Sequence, residues 1–196
     1  YGVQGCTLLI LSSAILFTWR ARSAKYPFIP SSFYTNSTYV VAVCTAFLAQ
    51  ATRFGTLVLI PILLIDVHDL TASMVGLALC PGAIAVALLS PKMGSISDRK
   101  GPRWPVTFGL GAMLAGNVVT IVAASGSVPF VIVGTTLYGV GFAGIQSPLM
   151  NAVSEAVAHS KLGIGMGLFM TIFFIGGATG VAISATIVEW QTTQPI

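Results

Sequence analysis

Residues 92–103 read Lys-Met-Gly-Ser-Ile-Ser-Asp-Arg-Lys-Gly-Pro-Arg. They hold four of the nine Lys and Arg residues of the chain: Lys92, Arg99, Lys100 and Arg103. On either side lie long apolar segments, 74–91 and 104–125. A short basic island between two such runs has no obvious place in a water-soluble core. It suits a tight connection between two spanning helices, on the side of a membrane where Lys and Arg accumulate.

Composition points the same way. Of 196 residues, 55% are hydrophobic and 7% charged, against about 25% charged in an ordinary soluble domain. The mean hydropathy is +0.91. A soluble fold of this length could not bury so much apolar surface, so the bilayer is the expected solvent. The net charge of +4 would suggest nucleic acid in a soluble protein. Here it is the charge of membrane-flanking loops, and no nucleic-acid partner is expected. Cys6, Cys44 and Cys80 lie in or at apolar runs without Cys-x-x-Cys spacing, and read as small membrane residues.

The basic stretch also carries a family resemblance. Gly94-x-x-x-Asp98-Arg99-x-Gly101-x-Arg103 resembles the signature loop of the major facilitator superfamily, whose pattern is G-x-L-x-D-R-x-G-R-K. Ile96 stands where the pattern has Leu, Pro102 where a basic residue is usual, and Arg103 follows one place late. The D-R-x-G-P form resembles the second-half copy in fourteen-helix drug:proton antiporters of the tetracycline and multidrug efflux type. Asp66-Val67-His68-x-Leu70-Thr71 is similar to an outer loop of the tetracycline group.

Reading outward gives one partial and five full spans. Residues 3–19 end at Trp19 before Arg20, Arg22 and Lys25. Pro27, Pro30 and a Ser/Thr/Asn run make 20–38 a loop. The full spans are expected at 39–65, 72–91 (interrupted by Pro81-Gly82), 104–125, 129–150 and 162–188, the last ending at Glu189-Trp190. Each is close to the roughly 20 residues that cross about 30 Å of hydrocarbon. Loops 20–38, 92–103 and 151–161 hold eight of the nine Lys and Arg. The alternate loops hold none, but carry Asp66, Asp69 and Glu189. The basic set is therefore expected in the cytoplasm. Asn36-Ser37-Thr38 matches a glycosylation sequon but falls on that side and is discounted.

The expected fold is an all-α membrane bundle of major-facilitator type. By the resemblance, 1–38 is the end of an extra central helix with a cytoplasmic loop. Residues 39–196 are a second-half bundle lacking its last helix, and the first half is missing. The expected location is a multi-pass protein of the cell membrane. The implied function is proton-coupled efflux of drug-like small molecules by alternating access. Uptake of another small solute, or a non-transporting membrane scaffold, are the alternatives.

Candidate functional residues fall into three groups. The resemblance assigns Gly94, Asp98, Arg99, Gly101 and Arg103 to a gate that latches cytoplasmic helix ends. The second group faces the substrate cavity. Arg53 sits mid-span, where a guanidinium is costly against lipid, and Gln50 is on the same helix face. Tyr138, Phe142 and Gln146 follow helical spacing with Thr135, and Phe169 and Phe173 follow it with Gly177. The family's cavity-lining helices are those that carry them, and a packed core is the competing reading. The third group is glycine. Gly139, Gly141 and Gly144 resemble a glycine-rich fourth helix, and Gly163, Gly167, Gly176, Gly177 and Gly180 a fifth. Pairs four apart let helix backbones approach closely in lipid.

No acidic residue lies deep in any span, so by the resemblance proton-carrying carboxylates belong to the missing half. His-Glu-x-x-His, Gly-x-Ser-x-Gly and paired intramembrane aspartates are all missing from the sequence, which argues against an intramembrane enzyme. Asp66, His68 and Asp69 on one short loop are a poor metal site. Neither a cofactor nor a metal is expected.

The charge distribution makes a topology prediction. In a cysteine-free background, Tyr34→Cys should react with a membrane-impermeant maleimide only from the cytoplasmic side. Asp69→Cys should react only from outside. Reaction of both from the same face would reject the orientation.

Overall fold

The computed structural model describes residues 32–124 and 126–193. The expected span 3–19 and its basic stop at Arg20, Arg22 and Lys25 lie outside the described residues. A short helical turn, Ser32–Thr35, leads into five long helices. They are α1 (Ser37–Asp66), α2 (Ala72–Lys100), α3 (Arg103–Ala123), α4 (Val128–Ala156) and α5 (Leu162–Thr193), with a 3-10 turn at His159–Lys161 before α5. All five are long and apolar enough to cross a membrane. This is the all-α membrane bundle expected from composition.

Asn36 starts α1. Its side chain accepts hydrogen bonds from the backbone N–H groups of Thr38 and Tyr39, satisfying donors that a helix start leaves open. The same side chain donates to the carbonyl of Ala156 at the end of α4, at 2.9 Å. Tyr39 Oη donates to Gly165 O at 2.9 Å, tying α1 to the start of α5. The residue discounted as a sequon is thus a cap and a clasp. At the other end, His68 Nε2 lies 3.1 Å from Ala124 O, joining the α1–α2 connection to the end of α3.

Three expected boundaries are corrected. The stretch 92–103 is not a loop over most of its length, because α2 runs unbroken to Lys100 and only Gly101 and Pro102 turn the chain. Leaving hydrocarbon does not require leaving the helix: the polar residues from Lys92 onward keep their backbone bonds. They place Gly94 and Ser97, three apart, on one buried face. The polar residues Asn151 to Glu155 likewise belong to α4, and α5 continues past Glu189-Trp190 to Thr193. Nor does Pro81-Gly82 interrupt α2, which is continuous through both Pro81 and Pro91.

The exterior is apolar. Leu77, Leu114, Ile121, Val122 and Phe174 are all largely exposed, as expected where lipid replaces water. The centre of the bundle is α4. Over its most apolar eighteen residues 56% are buried, against 17% in α2. It packs along the length of both α2 and α3, while α1 packs along α5. The two groups meet along a less extensive α1–α4 seam.

Glycine sets these close approaches. A Cβ on Gly141 would lie 2.6 Å from Gly109 O, and one on Gly116 2.7 Å from Gly134 O. One on Gly139 would collide with the backbone of Gly82, and on Gly144 it would lie 2.9 Å from Pro105 O. On α5, a Cβ on Gly176 would strike the backbone of Phe47, and one on Gly180 that of Ala51. Gly177 is looser: a Cβ there would lie 3.1 Å from Phe54 Cδ2 and 3.4 Å from Gln50 Cγ, both side-chain atoms. Gly163 and Gly167 meet nothing within 4 Å, so the described bundle gives this pair no close contact. Without a hydrophobic force between helices in lipid, such backbone contact is what holds them together.

Gly180→Val should therefore separate α1 from α5 and cost about 1–3 kcal/mol, the usual range for overpacking. Gly167→Val should be tolerated. Thermal melting of the detergent-solubilised protein, read by size-exclusion chromatography, compares the two. Equal melting temperatures would refute the packing account.

Candidate functional site

Two sites emerge. The first is at the end of α2. Gly94 faces α4 so closely that a Cβ would lie 2.6 Å from Ser147 Oγ. One turn on, Asn151 Nδ2 donates to Asp98 Oδ1. Gly101 has φ +82 and ψ 162, a region essentially reserved for glycine. Its N–H bonds to Ser97 O at 2.8 Å, closing α2 before Pro102 turns the chain. Gly94 thus permits close approach, Asp98 makes a polar tie, and Gly101 allows the chain to reverse. Arg99 is exposed on the last turn of α2, where a cation complements the helix dipole. Arg103 is the first residue of α3 and lies beside Ser37 and Thr38 in a cleft at the same end of the bundle. The resemblance to the signature loop flags Gly94 and Asp98, but not their partners Ser147 and Asn151.

The second site is inside the bundle, at the α1–α4 seam. The Arg53 guanidinium carbon sits 4.0 Å from the centroid of the Phe142 ring, a cation–π contact. Arg53 also lines a cavity of about 160 Å³ with Thr56, Leu57, Leu79, Gly82, Thr135 and Tyr138. Thr135 Oγ1 donates to Ile132 O. The Tyr138 hydroxyl is buried; it lies toward Thr56 without completing a hydrogen bond of normal geometry. The structure therefore brings together three residues singled out in the sequence: Arg53, Tyr138 and Phe142.

The others stand around this group. Gln50 is on the Arg53 side of α1 but turns toward Gly177 on α5, and its Oε1 is buried without a hydrogen-bond partner. Phe169 and Phe173 stack with centroids 6.1 Å apart. They belong to the same packed cluster as Tyr138 and Phe142, and are 2% and 6% exposed, so in this state they are core. Gln146 lies one turn beyond Phe142 and is half-buried. Sequence reasoning misses Gly82, where a Cβ would lie 3.0 Å from Thr135 O; beside Pro81 it signals only a kink. No cluster of His, Cys, Asp or Glu able to hold a metal occurs among the described residues.

The family model of the major facilitator superfamily matches residues 42–194. The chain belongs to that superfamily. It is 30% identical over 175 residues to the multidrug resistance protein Stp of Mycobacterium tuberculosis, covering 88% of this chain and 32% of that protein. It is 27% identical over 183 residues to the drug efflux pump JefA of the same organism, covering 92% and 36%. To the lincomycin resistance protein LmrB of Listeria innocua it is 25% identical over 175 residues, covering 89% and 37%. The chain thus spans about a third of the length of these curated relatives. With five helices of spanning length among the described residues, it is a multi-pass integral membrane protein of a transporter superfamily.

The geometry of Gly101 makes a local prediction. Gly101→Ala should cost about 1–3 kcal/mol, the usual cost of forcing a side chain into such a backbone region. Gly111→Ala, where nothing lies within 4 Å, should be neutral. Melting temperatures of the two variants decide, and an unchanged Gly101→Ala protein would contradict the turn geometry.

Proposed function

We propose that this chain is the second-half bundle, without its last helix, of a transporter that exports drug-like small molecules in exchange for protons. Residues before 39 belong to the connection from an extra central helix in this reading. The relatives named as multidrug resistance, drug efflux and lincomycin resistance proteins support efflux over uptake. Transport fits a bundle with a cavity at its seam, apolar but for Arg53, Thr56, Thr135 and Tyr138, better than a scaffold does.

The observation that carries the proposal is the Asp98–Asn151 tie with Gly94 seated on Ser147. It fastens the end of α2 to α4 through one exposed polar contact. Such a contact adds little to stability, yet a conformational equilibrium needs only a few kcal/mol of bias to switch. The end of the bundle that it closes carries Arg99, Lys100 and Arg103, and is the cytoplasmic end in the expected orientation. In this reading the tie holds one state of an alternating-access cycle. The carboxylates that carry protons lie in the first half of the full-length protein.

The test is ethidium efflux by the full-length transporter in an efflux-deficient host. Asp98→Asn should keep normal abundance in the membrane and lower efflux roughly tenfold, the effect of about 1.4 kcal/mol on the equilibrium between states. Asn151→Ala, which removes the same tie from the other side, should act in the same direction. Wild-type rates from both variants would remove the latch, and a full-length wild type that moves no drug in either direction would remove the efflux reading.

A further inference from the structure

The cavity at the α1–α4 seam has a sign. All five acidic residues of the chain, Asp66, Asp69, Asp98, Glu155 and Glu189, are at or beyond helix ends. Asp66, on the same helix as Arg53, lies thirteen residues away, about 20 Å along the axis at ~1.5 Å per residue. Arg53 is thus a mid-span cation with an aromatic face on one side and no carboxylate of this chain within reach. Phe142 supports the guanidinium through its π-face. That contact uses the flat of the group and leaves N–H donors along its edge. Tyr138 adds a second donor: the residue lines the same cavity, and its buried hydroxyl, near Thr56, makes no regular hydrogen bond. Thr135 spends its own proton on Ile132 O. The remaining lining is largely apolar: Leu57, Ile60, Leu79 and Val86. The volume, about 160 Å³, is close to the ~150 Å³ of a cavity that holds benzene.

We propose that Arg53 and the Tyr138 hydroxyl form a recognition point for a carboxylate carried by an apolar, ring-sized substrate. The proposal rests on the reading of the chain as part of a transporter and names the charge class of its substrate. Arg offers a carboxylate two parallel N–H donors. Tyr138 Oη completes the set, and the apolar walls take the ring. An apolar cation is disfavoured at the same point, because the described helices supply no negative side chain to offset Arg53.

The experiment uses the full-length transporter, purified in detergent, and three probes with one body and three charges: benzoate, benzamide and benzylammonium. Binding is measured by equilibrium dialysis of tritiated compound. The wild type should bind the benzoate at least tenfold tighter than the ammonium, with the amide between them. Arg53→Gln should erase that order. Arg53→Lys should restore part of it, and Tyr138→Phe should weaken benzoate several-fold while leaving the ammonium unchanged. Should Arg53→Gln fail to fold, Tyr138→Phe alone still decides, since loss of the hydroxyl removes no bulk. Equal affinity of the wild type for all three probes overturns the proposal; that result is expected if a carboxylate elsewhere in the full-length protein already neutralises Arg53. Tighter binding of the ammonium overturns it too. Export of ethidium and of labelled benzoate by the same preparation, reconstituted, is scored separately. Anion preference without export of either compound leaves the site standing and rejects the transporter reading; export without anion preference does the reverse.

Discussion

Helices in lipid gain nothing from hiding apolar side chains from one another, since the surroundings are equally apolar. What remains is the shape of the contact. In this chain the contact is backbone on backbone at glycine. The α4 helix reaches α3 through Gly134, Gly141 and Gly144, and reaches α2 through Gly139 against Gly82. The α5 helix reaches α1 through Gly176 and Gly180. Every one of these positions would have to shift if it carried a methyl group. The remaining contacts between helices, including the polar ties at the helix ends, depend on helices held at that separation.

The glycines build two tight groups, α2–α3–α4 and α1–α5, and a looser seam between α1 and α4. The seam is where the interior cation sits. Arg53, Tyr138 and Phe142 all lie along it, as does the cavity between Thr56 and Thr135. Glycine contacts have no room for a guanidinium, so a deep charge can survive only where packing is relaxed. A mid-span Arg costs roughly 2.5–3.5 kcal/mol on insertion scales, and the π-face of Phe142 recovers part of this.

The class of fold is legible in composition, and the number of spans in the alternation of apolar runs with basic loops. Arg53 stands out as the one cation away from the loops. Helix ends are harder to read, because hydropathy falls where a helix leaves the bilayer whether or not the helix stops. Lys92–Lys100 and Asn151–Ala156 both look like loops for that reason, and both are helix. Glycine spacing flags Gly139, Gly141, Gly144, Gly176 and Gly180, but does not separate them from Gly163 and Gly167. The pattern fixes which residues share a face and is silent on what that face meets. The partners Ser147 and Asn151 are invisible for a related reason: a polar residue outside a motif has no signal until a neighbouring helix arrives.

The polar ties are not spread evenly along the bundle. Asn36 to Ala156, Tyr39 to Gly165 and Asp98 to Asn151 all lie at the end where α2 closes and α3 begins. The opposite end has His68 against Ala124. Of the three ties at the first end, Asp98 joins α2 to α4 within one group, and Tyr39 joins α1 to α5 within the other. Only the Asn36 contact bridges the seam there, and it does so through a carbonyl that α4 leaves open at its own terminus. The interior of each group is fixed by backbone contact that cannot slide without collision. The seam, by contrast, is held by a cation–π contact, a terminal hydrogen bond and side-chain packing, the first two being interactions of about a kcal/mol each. A bundle made this way has its weakest line running past Arg53, the half-buried cation at mid-span. Small adjustments between the two groups are thereby felt first at Arg53, Tyr138 and Phe142, where the cavity is.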